Sequence, residues 1–274
     1  MSEVKNAVEE YPLSRDYVDF NRLNLQHYIL KDMFGYSLHP KIPRTQKSLK
    51  IADVGTGTGI WLLDLLSQLN PSTELVGIDI DITQVGPREW LPDNLTLRQW
   101  NVFTDVPDDL VGAFDIVHLR HFAFVIEEDT TPILQKLKKL LKPGGYLQWC
   151  EVDVPSFRIN TASPSVSTNG LVELWEQTMP KETRLFPKWV KMLPESFRNE
   201  GFLDVTTDWH DQRGHIGIAM HWCNLPIHEM LADRPRSSKT EKSSMIAMME
   251  TASVESRKGA MYAFDRVVVV GQKP

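Results

Sequence analysis

The 274-residue chain has only two cysteines, Cys150 and Cys223, far apart and in no metal-ligand spacing. Their scarcity excludes a disulfide framework and a zinc-finger class. No apolar run approaches the roughly 18 residues that a membrane helix needs. Residues 1–11 are polar and show no secretory signal, so the expectation is a cytoplasmic protein with no membrane partner. Positive charge is also in short supply, with 30 Lys and Arg against 36 Asp and Glu and a net charge of −6. The one local basic group, Lys136, Lys138, Lys139 and Lys142, reads as the solvated face of a helix, and no nucleic-acid partner is expected. No complete ligand set for a divalent metal is visible. What remains is an ordinary globular composition, 42% apolar and 24% charged, in one large domain or two small ones.

The chain is organised around Ile51-Ala52-Asp53-Val54-Gly55-Thr56-Gly57-Thr58-Gly59-Ile60-Trp61. A short apolar run ends in an acid, three glycines follow at alternate positions, and a second apolar run begins. This reads as a buried strand, a tight turn and a helix start. Glycine lets the backbone turn sharply and approach a ligand with no Cβ in the way. The spacing Gly-x-Gly-x-Gly differs from Gly-x-Gly-x-x-Gly, which marks dinucleotide pyrophosphate binding.

Around this turn, strands and helices alternate. A helix is expected from about Asp16, with Phe20, Leu23, His27, Leu30 and Phe34 on one face and Gly35 as its stop. Strands are expected at 51–54, 75–79, 95–102, 114–120 and 146–151, with helices at 60–69 and from Thr131-Pro132 onward. Such alternation over about a hundred residues predicts a parallel sheet covered on both faces. Asp79 ends the second strand, 20 residues after Gly59, where a carboxylate can accept hydrogen bonds from both hydroxyls of a ribose. Residues 155–200 look irregular apart from a helix near 171–179. A sixth strand is expected at 201–206, Met-rich helices across 215–258, and a last strand at 262–270. With no helix after it, that last strand points to insertion into the sheet.

Together these pieces resemble the class I S-adenosyl-L-methionine (SAM) methyltransferases, and among them the fungal secondary-metabolism group that includes the velvet-complex methyltransferase-like regulator. The likeness rests on Arg22-Leu23-x-x-Gln26-His27, the glycine turn, Gly77-Ile78-Asp79-Ile80, Gln84 with Trp90-Leu91-Pro92, Phe114-Asp115-x-x-x-x-Arg120, Leu141-Lys142-Pro143-Gly144-Gly145, Glu151 and the closing valine-rich strand. It implies an α/β, Rossmann-like fold: a seven-stranded, mostly parallel sheet with an antiparallel last strand, helices on both faces and helical lid insertions. The divisions would be an N-terminal lid and linker (1–50), a SAM-binding core (51–153) and the remaining strands with a helical substrate cap (154–274).

The resemblance assigns SAM contacts. Asp53, Gly55, Thr56, Gly57 and Gly59 would hold its methionine end, Asp79 its ribose, and Ile80 and Val102 its adenine. Asn101 stands where an Asp is usual, and its carbonyl can still accept from the adenine amino group. Arg22 and His27 would line the cofactor from the lid, with a packed helix histidine as the alternative for His27. Arg120 is a further cofactor candidate or a structural ion pair.

For the chemistry, alcohol and phenol acceptors need a base, whereas amines often need little help. His118 and His121 lie near the end of the fourth strand, and His121, in the loop, is the better candidate. Glu151 and Asp153 could orient an amine or hydroxyl, so the catalytic candidates are His121 and Glu151. Trp175, Met179, Trp189, Trp222 and Met245 suit an apolar lid over a small hydrophobic acceptor, or a helical cap core with a homodimer contact. The leading expectation is a SAM-dependent methyltransferase acting on O or N of a small, largely apolar secondary metabolite. The alternatives are a SAM-binding regulator working through protein partners and a SAM-fold enzyme of rearrangement or cyclisation. A nicotinamide oxidoreductase is disfavoured by the glycine spacing.

Overall fold

Short apolar runs without polar alternation form the middle of the molecule. The computed structural model describes residue 13 and residues 15–44, 48–178, 185–232 and 239–274. Its strands are β1 (Lys50–Val54), β2 (Glu74–Asp79), β3 (Leu95–Gln99), β4 (Phe114–Arg120), β5 (Leu141–Thr161), β6 (Leu203–Asp211) and β7 (Ala260–Gln272). They make one seven-stranded sheet in the order β3-β2-β1-β4-β5-β7-β6. The pairs from β3 through β5 are parallel, and β7 runs antiparallel to both β5 and β6. The expected mostly parallel sheet with an antiparallel last strand is what the chain forms.

The helices are α1 (Tyr17–Phe34), α2 (Ile60–Leu65), α3 (Thr131–Leu140), α4 (Asn169–Thr178), α5 (Leu193–Asn199), α6 (Gly214–Asn224), α7 (Pro226–Ala232) and α8 (Lys239–Arg257). On one face of the sheet, Trp61, Leu62 and Leu65 of α2 pack on Ile51, Ile116 and Val268. On the other, Leu134 and Leu137 of α3 and Phe197 of α5 pack on Val117, Leu147 and Val269. A separate apolar cluster joins α4, α7 and α8 to the far ends of β5 and β7 through Leu171, Trp175, Met230, Met245 and Phe264. This is the cap, and its core holds Trp175 and Met245 of the residues singled out above, whereas Trp189 packs in the cluster with α3 and α5 and Trp222 is exposed. Met179 and nearly all of residues 1–14 lie outside the described residues.

Two differences from the sequence expectations matter. First, β5 continues ten residues beyond Glu151. Pro155 and Ser156 disguise the continuation, because the pairing with β7 shifts register between Asp153 and Arg158 and resumes at Arg158 opposite Ala263. The β5–β7 ribbon therefore carries the cap away from the sheet. Second, α1 buries a polar stripe, Asp19, Arg22, Gln26 and His27, beside Ile29, Leu30 and Met33. Its ends are as expected: Asp16 accepts from the Val18 and Asp19 amides, and Gly35 closes the helix with φ 79°. The order of strands reverses between β1 and β4, so a crevice opens at their carboxyl ends, the usual ligand position in open α/β sheets.

Candidate active site

The glycine turn sits at that crevice. Gly55, Gly57 and Gly59 have φ of 71°, 53° and 73°, a left-handed backbone that side chains disfavour. The amides of Gly55 and Thr56 both donate to the Ile78 carbonyl, pinning the turn to β2. A Cβ on Gly55 would stand 2.5 Å from the Phe122 ring, and one on Gly59 2.8 Å from Val85. Both positions therefore need glycine for space as well as for conformation.

Beneath the turn lies a buried polar chain. Asp53 Oδ2 accepts from Thr56 Oγ1 at 2.9 Å, and its Oδ1 pairs with His118 Nδ1 at 2.7 Å. The His118 ring stacks on Trp61, with centroids 3.8 Å apart. Burial lowers the His118 pKa, so the imidazole is neutral and donates Nδ1–H to the carboxylate. Asp53 and His118 thus support the turn from below and do not line the cleft.

The cleft above has a volume of about 1000 Å³. Its floor is Gly55, Thr56, Gly57 and Thr58; Asp79, Ile80 and Gln84 form one end, and Asn101 and Val102 lie alongside. Asp19 and Leu23 of α1 overhang it, and Arg120, His121, Phe122 and Phe124 close the far side. Asp79 Oδ2 accepts from the Gly57 amide at 2.9 Å and Oδ1 from the Asp81 amide at 3.1 Å. Each oxygen keeps a lone-pair direction for a further donor, which suits two neighbouring ribose hydroxyls. Asn101 Oδ1 already accepts from the Phe103 amide at 3.0 Å and has one further lone pair for an adenine amino group. The residues present fit SAM.

The lid residues behave differently from the expectation. Arg22 donates Nε and Nη2 to Asp19 Oδ1 at 2.8 and 2.6 Å and does not line this cleft. His27 is buried between Asp64, 3.3 Å from its Nε2, and Arg120, whose Nη1 lies 3.1 Å from its Nδ1. Burial, with Arg120 second, pushes the His27 pKa down to about 4, so it backs Arg120 as a neutral acceptor. The α1 residues that do reach the cleft, Asp19 and Leu23, were missed by the sequence reading. They sit four apart, on one side of the helix.

Beyond the cleft is a second, smaller cavity of about 80 Å³, lined mainly by apolar groups. Leu23, His121 and Phe124 line both spaces and form the partition between them. His121 holds a left-handed backbone at φ 60°, which is strained for a non-glycine residue. Its amide donates to the Cys150 carbonyl, and its buried Nε2 has no partner. Burial and then Arg120 drive its pKa well below the usual value. Next in sequence, Phe122 donates its amide to Glu151 Oε2 at 2.7 Å. Glu151 is fully buried and also accepts from Trp149 Nε1 and the Val152 amide. Desolvation raises its pKa to about 7. It therefore holds the partition loop by its backbone. Asp153, also buried, faces Lys191 at 3.4 Å. Among the described residues, no group of three or more His, Cys, Asp or Glu side chains is arranged to hold a metal ion.

A glycine turn under a mixed cleft, an acid at the end of β2 with room to accept from two hydroxyls, and an apolar second chamber are features that suit a nucleoside-cofactor transferase. The family description "Methyltransferase domain" matches residues 26–206. A protein of Penicillium sp. named methyltransferase grgD is 34% identical over 266 residues, 92% of this chain and 92% of its own length. N-methyltransferase verN of Clonostachys rogersoniana is 32% identical over 254 residues, 90% of this chain and 82% of its own. Among solved structures, Haemonchus contortus phosphoethanolamine N-methyltransferase 2 in complex with SAM shares the fold, with TM-score 0.52 at 14% identity. That alignment covers 92% of this chain and 52% of the nematode chain. The chain belongs to the methyltransferase domain family, and it is a SAM-dependent methyltransferase.

Proposed function

We propose that this protein transfers the methyl group of SAM to nitrogen or oxygen of a small, largely apolar acceptor in secondary metabolism, in the cytosol. The observation that carries the reading is the shared partition. A cofactor-sized cleft of mixed lining and a small, mainly apolar cavity meet at Leu23, His121 and Phe124, so a donor on one side and an acceptor on the other would approach head-on. Bound SAM supplies a methyl group activated by a neighbouring sulfonium. The protein's part is to align the acceptor and keep water out.

Residue roles follow from position. Gly55, Thr56, Gly57 and Arg120 would hold the methionine end, Asp79 the ribose, and Ile80, Asn101 and Val102 the adenine. The free Nε2 of His121 would accept a hydrogen bond from the acceptor's N–H or O–H and so turn its lone pair toward the methyl group. A lowered pKa keeps His121 neutral but makes it a weak base, which favours nitrogen, whose lone pair needs no deprotonation. The name of the Clonostachys relative supports nitrogen as well. Glu151 acts as a positioning residue through the Phe122 amide. In this reading, residues 1–50 form the lid, 51–153 the cofactor core and 154–274 the acceptor cap.

The test is incubation with SAM carrying a labelled methyl group and a panel of small apolar amines and phenols. The expected result is label in one or more amines, with kcat reduced about tenfold to hundredfold in His121→Ala and SAM affinity unchanged. Tight SAM binding with no label in any acceptor would instead favour a regulator or a non-methylating enzyme.

A further inference from the structure

The acceptor cavity contains a buried cation that no acid neutralises. Arg266 interrupts the apolar run of β7, lies opposite Val152 of β5, and is 1% exposed. Its Nη1 donates to Gln212 Oε1 at 2.5 Å and, more weakly, to the Phe264 carbonyl at 3.4 Å. Its Nε has no partner. Acids in the neighbourhood are committed elsewhere: Asp19 to Arg22, Asp265 to Arg158 and Asp153 to Lys191. Glu151 spends its oxygens on the Phe122 and Val152 amides and on Trp149. Among the described residues, no carboxylate forms an ion pair with Arg266. Burial lowers its pKa to about 10, so it still carries its charge at neutral pH.

A buried guanidinium left uncompensated is costly, and proteins pair such charges or use them. Gln212 offers only a neutral acceptor, and its amide is itself held by the Gly217 and Tyr262 carbonyls. Arg266 lines the same cavity as Trp175, Tyr262 and Phe264, with His121 on the partition. Arg22 and Glu151 also line this cavity, but Arg22 is paired with Asp19 and Glu151 is held by backbone amides and Trp149, so Arg266 is the charge left without a counterion, and guanidinium geometry matches an anionic oxygen.

We infer that the acceptor carries an anionic oxygen, a carboxylate or an ionised enol or phenol, that binds Arg266 while the methylated atom lies toward His121. The inference rests on the cavity being the acceptor chamber. It narrows the substrate class to small, largely apolar molecules with one acidic oxygen directed at Arg266.

The test uses matched probes on the full chain saturated with S-adenosylhomocysteine: anthranilate, its neutral isostere 2-aminobenzamide, and the ionised and neutral forms of a nitrophenol. Binding is read by calorimetry and by the Arg266 Nε–H resonance. The anions are expected to bind at least about tenfold tighter than their neutral counterparts, the size of one charge-assisted hydrogen bond. Only the anions should move the Nε–H signal. Arg266→Met should remove the preference without changing S-adenosylhomocysteine affinity, and Arg266→Lys should keep part of it. The wild-type resonance decides the matter even if Arg266→Met does not fold. The carboxylate and phenolate arms separate the two sources of the oxygen. Equal affinity for charged and neutral probes, no binding of any anion, or a preference that persists in Arg266→Met would overturn the inference. Anion binding at Arg266 with no methyl transfer to any acceptor would leave this site standing and sink the proposed reaction.

Discussion

Replacing Glu151 by glutamine should make the protein progressively more stable relative to wild type as the pH rises from acid to alkaline. Glu151 is fully buried, and desolvation lifts its pKa from 4.5 to about 7. An acid with a raised folded-state pKa binds its proton more tightly in the fold than in the unfolded chain. Its stabilising contribution is therefore present below pH 4.5 and is lost as pH rises to about 7. The shift corresponds to about 3 kcal/mol. Glutamine does not titrate, so the stability of Glu151→Gln relative to wild type should rise by about 3 kcal/mol between pH 4.5 and pH 8, a relative Tm gain of roughly 6 °C or more. The protein keeps the acid because three donors converge on it: the Phe122 and Val152 amides and Trp149 Nε1. The glutamine NH2 cannot accept from an amide, so the Phe122 loop should shift and methyl transfer should fall. Urea unfolding of both proteins from pH 4.5 to 8 is the assay. A stability difference that stays flat across that range would refute the reasoning.

Other perturbations give distinct outcomes. Gly55→Ala combines a left-handed φ of 71° with a Cβ only 2.5 Å from the Phe122 ring. It should cost roughly 1–2 kcal/mol in backbone strain alone and weaken SAM binding, which calorimetry would show. His118→Ala strips Asp53 of a 2.7 Å partner and Trp61 of its stacked ring. A loss of roughly 2–4 kcal/mol in urea unfolding is expected, with the larger effect on stability and the smaller on the cleft.

The centre of the molecule was legible because several local signals agreed there. The run from Ile51 to Val54, the glycine turn and Asp79 at the end of β2 each pointed to the same crevice, and the structure places Asp79, Ile80, Asn101, Val102 and Arg120 around it. The periphery was less legible for physical reasons. Spacing along α1 shows that one face is buried but not what it meets: Asp19 holds Arg22, and Asp64 and Arg120 flank His27, in keeping with the packed-histidine alternative. The extension of β5 was hidden by Pro155 and the register shift, which break the alternation that marks a strand. His121 was identified by position, but its strained backbone and unpaired Nε2 depend on the turn built by Cys150 and Glu151. Arg266 did leave a signal, an Asp265-Arg266 pair set between Phe264 and the run Val267–Val270 of an otherwise apolar strand. Its meaning depends on the absence of an acid nearby, which only three-dimensional packing reveals.

The central claim is tested most directly by calorimetry of SAM and S-adenosylhomocysteine with the wild type and Asp79→Ala. The account predicts that the wild type binds both ligands. Asp79→Ala should bind each about a hundredfold more weakly, as expected for two lost hydrogen bonds to a carboxylate. Absence of binding in the wild type, or equal affinity in the variant, would contradict the assignment of this cleft to the cofactor.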